Sequence, residues 1–307
     1  MNRQRVAVIG STGQLGSDLV EVLRRDDVFD VMPLSHGECD STRSDQVRDV
    51  LHSMCPNIVI NCAAYVRVDD CEDHAREAFE VNAIGALNVA KTCGELSALC
   101  VYVSTDYVFD GTKAAPYVES DPPNPINVYG ASKLAGEHLV RQAAARWLIV
   151  RTASLFGKTG ARGKGGNFIE TILAKARKGE LLQVVDDIRI SPTYTRDAAE
   201  TLVNVMQEGT VGILHLVNEG GCSWYEFAKQ TLDFVALPAS ISPVSSAVYL
   251  TRADRPKNSV LQSERFRVKL RSWQAALESY LTEKGHISRC RLSERRLPNP
   301  ASKERSD

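Results

Sequence analysis

The chain has no surplus of charge of either sign. Lys and Arg total 37 against 38 acidic residues among 307, a formal net charge of −1. No basic excess is available to hold a phosphate backbone, so nucleic-acid binding loses its simplest support. No apolar run approaches the roughly 18–20 residues needed to cross a bilayer. The opening Met1-Asn2-Arg3-Gln4-Arg5 leads into Val6-Ala7-Val8-Ile9, too short an apolar stretch for a signal-peptide core. Eight cysteines are present but none forms a C-x-x-C pair, and the six histidines do not cluster at metal-ligand spacing. The expectation is reduced thiols, no bound metal and a cytoplasmic setting. These absences exclude membrane, disulfide-scaffold, disordered and collagen-like proteins.

What is present is an ordinary globular composition, 43% hydrophobic and 24% charged, with enough chain for one large or two small domains. Short continuous apolar runs at residues 6–9, 31–34, 58–60, 99–104 and 147–151 read as strands buried on both faces. Between them, residues 14–24, 44–53, 72–96 and 131–146 carry helical periodicity. That alternation predicts an α/β fold, a doubly wound parallel sheet of the Rossmann type. The second half is less regular, with helices expected at 167–178, 225–234 and 273–281 and strands at 182–185 and 215–217. The organisation expected is a dinucleotide-binding domain over residues 1–157 and a smaller C-terminal substrate-binding lobe over 158–282. Segments of that lobe around 182–218 are expected to return to the sheet. Residues 283–307 are polar and Arg-rich and read as a disordered tail.

Gly10, Gly13 and Gly16 stand in a G-x-x-G-x-x-G pattern directly after the first strand and at the start of the first helix. A side chain at Gly10 would obstruct the turn, Gly13 lets the backbone approach a pyrophosphate, and Gly16 lets the helix pack against the strand. The helix start adds free N–H groups and a positive dipole end. The spacing resembles that of extended short-chain dehydrogenases that act on nucleotide sugars. Leu34-Ser35-His36, after the second strand, holds neither an acid for a ribose 2′-hydroxyl nor an Arg for a 2′-phosphate, so NADPH and NADH are both expected cofactors.

Three Y-x-x-x-K matches occur. Tyr225/Lys229 and Tyr280/Lys284 lie outside the glycine-loop domain and read as surface helical pairs. Tyr129/Lys133 lies between the fourth and fifth strands, on a helix facing the expected cofactor crevice. A Lys ammonium near the phenol, together with an oxidised nicotinamide, should draw the Tyr129 pKa down from about 10 toward neutrality. Tyr129 then serves as general acid when a ketone is reduced. Thr105, at the end of the fourth strand, would donate to the substrate carbonyl. Asp106 is followed by Tyr107, whereas sugar-nucleotide dehydratases resemble this stretch but carry Asp-Glu.

Several further stretches make the chain similar to the dTDP-4-dehydrorhamnose reductase family over nearly all of residues 5–282. They include Asn61-Cys62-Ala63-Ala64-Tyr65-Val66-Arg67-Val68-Asp69, Val81-Asn82-Ala83, Ser104-Thr105-Asp106-Tyr107-Val108-Phe109, Gly166-Asn167-Phe168, Ser191-Pro192-Thr193-Tyr194, Cys222-Ser223-Trp224-Tyr225-Glu226 and Arg255-Pro256-Lys257-Asn258-Ser259. The resemblance implies cofactor contacts at Gly10, Gly13, Gln14, Leu15, Gly16, Asp40, Ser41, Ala63, Ala64, Tyr65, Val66, Tyr129 and Lys133. It implies substrate contacts at Thr105, Asp106, Ser154, Asn167 and Arg255, and catalysis by Thr105, Tyr129 and Lys133. The implied reaction is reduction of the 4-keto group of a dTDP-linked 6-deoxy-hexulose by a monomer or homodimer. One departure stands out: the family pattern R-T-S-W reads Arg151-Thr152-Ala153-Ser154 here, which removes a large aromatic contact. Two rival readings follow. One is a reductase or epimerase of another nucleotide sugar. The other is a cofactor-binding regulatory subunit, since the methionine adenosyltransferase beta subunit also resembles this family.

Overall fold

The computed structural model describes residues 3–160, 166–265 and 269–288. The first half runs β1 (Gln4–Ile9), α1 (Gln14–Leu23), β2 (Phe29–Leu34), α2 (Ser44–Met54), β3 (Ile58–Asn61), α3 (Val68–Asp73), α4 (Ala75–Phe79), a π-helical turn (Glu80–Ile84), α5 (Gly85–Glu95), β4 (Leu99–Thr105), a 3₁₀ turn (Asp106–Val108), α6 (Val128–Ala143) and β5 (Arg146–Thr152). After it come β6 (Leu155–Phe156), α7 (Phe168–Arg177), β7 (Leu182–Val185), β8 (Arg189–Ile190), β9 (Thr193–Tyr194), α8 (Thr195–Gln207) and β10 (Gly212–His215). The chain continues through β11 (Cys222–Ser223), α9 (Trp224–Val235), β12 (Ile241–Val244), a 3₁₀ turn (Ser246–Val248) and α10 (Trp273–Glu283).

Six strands make one parallel sheet in the order β10-β5-β4-β3-β1-β2. Val6, for example, faces Val31 on one side and Ile58 on the other. The chain leaves β1 toward β2 and then returns to β3 on the opposite flank. That reversal of direction opens a crevice at the carboxyl ends of β1 and β3, where ligands bind in sheets of this topology. α1 and α8 close one face around Leu15, Leu19, Ala198 and Leu202, and α2, α5 and α6 close the other around Val47, Val89 and Val140. Each fully buried leucine or valine contributes about 1.5–3 kcal/mol.

A second core forms among α7, α9 and α10 around Phe156, Leu173, Phe227, Leu277 and Tyr280. The strand expected at 182–185 is present, but it does not return to the sheet. It pairs with β12, because Leu182 and Val184 are buried in this second core. Tyr280/Lys284 is not a surface pair, since Tyr280 is fully buried and its hydroxyl donates to Glu170 Oε1 at 2.6 Å. Residues 283–288, expected in a disordered tail, are instead ordered against the second core. Glu283 closes α10, His286 Nε2 lies 3.0 Å from Glu170 Oε1, and Ile287 is buried. The remainder of that expected tail, 289–307, lies outside the described residues.

The helix expected over 72–96 is broken. His74 leaves helical geometry (φ −123°, ψ 48°), and the π-helical turn then presents the buried Asn82. The Asn82 amide accepts from the Tyr65 N–H (2.8 Å) and donates to the Tyr65 carbonyl (3.2 Å) and to Ser132 Oγ (2.9 Å). One side chain therefore ties the loop after β3 to α6. Such widened turns recur at functional sites because they re-aim a side chain. Among the described residues, no helix is long and apolar enough to cross a membrane.

Candidate active site

A cleft of about 800 Å³ opens at the carboxyl ends of β1, β3, β4 and β5 and runs across to α7 and α9. Seventeen of the eighteen expected site residues line it, all but Arg255, though lining a cleft is not the same as being available in it.

The β1–α1 turn forms its floor. Gly10 sits at φ +77°, and a Cβ there would lie 3.0 Å from the Ala63 nitrogen. A Cβ on Gly16 would lie 2.2 Å from the Gly10 carbonyl oxygen, so only glycine lets α1 start this close to β1. Gly13 is the N-cap of α1, and among the described residues no side chain caps that helix start. Its first-turn N–H groups and dipole are thus directed to the cleft, the arrangement that holds a phosphate. Gln14 Nε2 donates to the Leu155 carbonyl, joining this turn to β6. At the β2 end, Asp40 Oδ1 accepts from the Thr42 N–H and hydroxyl, which fixes the loop that presents Ser41. Ala63, Ala64, Tyr65 and Val66 form the wall after β3. The glycine turn, an uncapped helix start and a buried ammonium together fit a dinucleotide.

That ammonium is Lys133. It is 1% exposed, lies 4.0 Å from the Tyr102 ring centroid, and among the described residues no hydrogen-bond acceptor reaches its Nζ. Tyr129 and Lys133 share one face of α6. The helix begins at Val128, earlier than the periodicity suggests, because Asn127 Oδ1 caps the Gly130 N–H and Glu72 Oε1 accepts the Val128 N–H. Tyr129 therefore lies in the first turn, at the positive end of the helix. Its phenol meets the Thr105 hydroxyl. Thr105 and Asp106 are buried at the end of β4 and line the same cleft.

The electrostatics differ from expectation. Burial pushes the Tyr129 phenol above its ordinary value, opposed by the neighbouring Thr105 hydroxyl and reinforced by Asp106, to which that hydroxyl donates at 3.0 Å. Burial brings Lys133 down to about 7, with Glu137 acting in the opposite direction. A low dielectric disfavours both charged forms, so proximity alone does not make the phenol acidic. The neighbouring thiol of Cys62 is pushed up to about 12 by the same burial, so it is no nucleophile at neutral pH.

The Lys133 shift has a measurable sign. Between about pH 7 and 10.5 the unfolded chain keeps a proton that folded Lys133 has lost, so this residue makes stability rise with pH across that window. Below pH 7 both states are charged and the contribution is flat. Lys133→Met should abolish the rise, flattening urea-unfolding free energy by up to about 1.4 kcal/mol per pH unit relative to wild type. Equal pH slopes for the two proteins would contradict the buried, weakly solvated ammonium.

Three expected substrate residues behave differently from one another. Ser154 lines the cleft with its backbone at φ +43°. Asn167 lines it as well, but its amide is committed: Oδ1 caps the Glu170 N–H, and Nδ2 donates to the Gly157 carbonyl and the Tyr280 hydroxyl. Arg255 does not line the cleft. Its guanidinium is paired with Asp69 at 2.8 and 3.1 Å, behind the pocket wall. The sequence reading assigned no role to Tyr107, Phe168 and Trp224, which do line the cleft. Phe168 and Trp224 pack with ring centroids 4.7 Å apart at the α7–α9 end. All three stand inside stretches that carry the family resemblance, and that was their only signal. Among the described residues, no group of three or more His, Cys, Asp or Glu is placed to hold a metal.

Residues 4–285 match the family described as RmlD substrate binding domain. The spore coat polysaccharide biosynthesis protein SpsK of Bacillus subtilis is 37% identical over 283 residues, covering 91% of this chain and 98% of that protein. A dTDP-4-dehydrorhamnose reductase of Burkholderia thailandensis is 36% identical over 296 residues, covering 89% and 96%. The crystal structure of dTDP-4-dehydrorhamnose reductase from Bacillus anthracis in complex with NADP matches with a TM-score of 0.88 at 37% identity, covering 92% of this chain and 100% of that one. A glycine turn, a Thr-Tyr-Lys set in one cleft and similarity along nearly the whole length agree: the chain belongs to the dTDP-4-dehydrorhamnose reductase family.

Proposed function

We propose that this protein reduces the 4-keto group of dTDP-4-dehydro-L-rhamnose to give dTDP-L-rhamnose, using NADPH or NADH. The observation that carries the reading is the meeting of the Tyr129 phenol and the Thr105 hydroxyl in a cleft floored by the glycine turn. The nicotinamide, when bound, supplies the hydride that reaches C4. The α1 start and the Gly13 backbone would hold the pyrophosphate, and Lys133 Nζ would find its missing acceptors on the nicotinamide ribose. Thr105 would donate to the substrate oxygen and orient it. Tyr129 would deliver its phenolic proton to that oxygen as the C4–H bond forms. The phenolate left behind is stabilised by the first turn of α6, by Thr105 and by the charge on Lys133. NADP in the Bacillus anthracis relative favours NADPH as the working cofactor. The dinucleotide is assigned to residues 1–157 and the nucleotide sugar to the lobe at 158–282. The reaction is placed in the cytoplasm, on a monomer or homodimer, with no nucleic-acid partner.

Absorbance-monitored oxidation of NADPH and of NADH, with enzymatically generated dTDP-4-dehydro-L-rhamnose, tests the reading. Stoichiometric oxidation is the expected result, and the ratio of rates gives the cofactor preference. Conversion of sugar without net oxidation would mean an epimerase. Cofactor binding without turnover would point to the regulatory-subunit reading or, given Ser154 in place of the family's Trp, to a different keto sugar.

A further inference from the structure

Arg255 was expected at the substrate and is found behind it, and what it holds there is informative. α3 follows directly from the loop that forms the cofactor-side wall of the cleft. Asp69 of α3 receives both Arg255 nitrogens and the Ala253 N–H, and Arg252 pairs with Asp70 and Asp73. The same junction reaches the catalytic helix. Glu72 accepts the Val128 N–H, and Asn127 Nδ2 donates to the Asp254 carbonyl. On its inner side the Arg255 guanidinium bears on the phenol oxygen of Tyr107. Tyr107 lines the cleft two residues after Thr105, and its ring meets that of Tyr129 edge-on at 5.9 Å and 75°.

We propose that Tyr107 is a second, substrate-positioning phenol beside Tyr129, and that the Arg255–Asp69 pair is the positioning device that aims it. Arg255 engages the phenol oxygen as a donor, so the phenolic hydrogen stays available to the cleft. Burial keeps the phenol neutral and therefore a donor. A group at this distance from the proton donor is placed for a sugar hydroxyl next to the reacting carbonyl. This inference rests on the proposed reduction of a keto sugar nucleotide. It makes Arg255 a residue that acts through Tyr107 rather than by touching substrate, and it couples the cofactor-side loop to the sugar pocket through α3.

The test compares Tyr107→Phe, Arg255→Met, Arg255→Lys and the Tyr107→Phe/Arg255→Met double variant with wild type. Steady-state kcat and KM are measured with dTDP-4-dehydro-L-rhamnose, dTDP-L-rhamnose binding by calorimetry and NADPH binding by fluorescence. Tyr107→Phe and Arg255→Met should each raise KM and the dTDP-L-rhamnose Kd about 10-fold, as loss of one aimed hydrogen bond implies. They should leave kcat within about threefold and NADPH Kd within about twofold. The double variant should be no worse than either single one, and Arg255→Lys should recover part of the loss. Additive losses, or an Arg255→Met defect shared equally by NADPH and sugar, would overturn the proposal in favour of a general structural clamp. Should Arg255→Met not fold, Arg255→Lys combined with Tyr107→Phe gives the same cycle. A wild type that neither binds dTDP-L-rhamnose nor oxidises NADPH would overturn the parent reading, and this one with it. Binding by wild type with undiminished binding by Tyr107→Phe overturns this one alone.

Discussion

Tyr129→Phe should lower kcat roughly 10²–10⁴-fold, the span of a positioned general acid, while NADPH affinity stays within about twofold. The substitution removes one oxygen and leaves the ring that packs edge-on against Tyr107. Tyr129 is singled out from the neighbouring phenol by three features of its placement. It contacts Thr105, where the carbonyl oxygen would sit. It occupies the first turn of α6, whose dipole stabilises a phenolate. It also shares a helix face with Lys133, four residues on. The resting phenol is held above its ordinary value by burial, so it remains protonated across the neutral range and ready to donate. Single-turnover NADPH oxidation, beside fluorescence titration of NADPH, separates chemistry from binding. A variant that keeps the wild-type rate with cofactor bound would remove Tyr129 from the mechanism.

Glu137→Gln should destabilise the protein by about 3–5 kcal/mol, the range for breaking a buried ion pair from one side. Glu137 and Arg151 are each 2% exposed. The guanidinium donates to both carboxylate oxygens at 2.9 and 2.7 Å, and Ser104 Oγ donates to Oε1 at 2.6 Å. Among the described residues Arg151 Nη1 has no hydrogen-bond partner, and the guanidinium lies 5.2 Å from the Phe109 ring centroid. The variant therefore leaves a cation in the core with little to solvate it. Urea unfolding measures the loss. The double variant Glu137→Leu/Arg151→Met should recover most of it, because an apolar pair of similar volume avoids the desolvation cost. A Glu137→Gln protein as stable as wild type would show that the pair is solvated and weak.

Local order was legible wherever a few adjacent residues determine it. The glycine turn could be read because each glycine answers a demand made within seven residues: a positive φ at Gly10, and at Gly16 an approach that no Cβ survives. Tyr129 and Lys133 could be paired because helical spacing alone puts them on one face. The boundaries of β7 could be read from its apolar run but its partner could not, since Ile241–Val244 follows more than fifty residues later. The π-helical turn at Glu80–Ile84 escaped because one widened turn of five residues, flanked by α-helix, is too short to register as a change of period.

The sequence by itself determined the α/β class, the place of the crevice and the chemical kinds that meet there: a phosphate-binding turn, a hydroxyl, a phenol and an ammonium. Those follow from interactions whose range along the chain is short. Tertiary structure decided what each group is free to do. It buried Lys133 and brought its pKa down, committed Asn167 to capping α7, and turned Arg255 away from the cleft onto Asp69, 186 residues distant in sequence. Burial and charge pairing depend on what packs alongside, and neither spacing nor composition carries that.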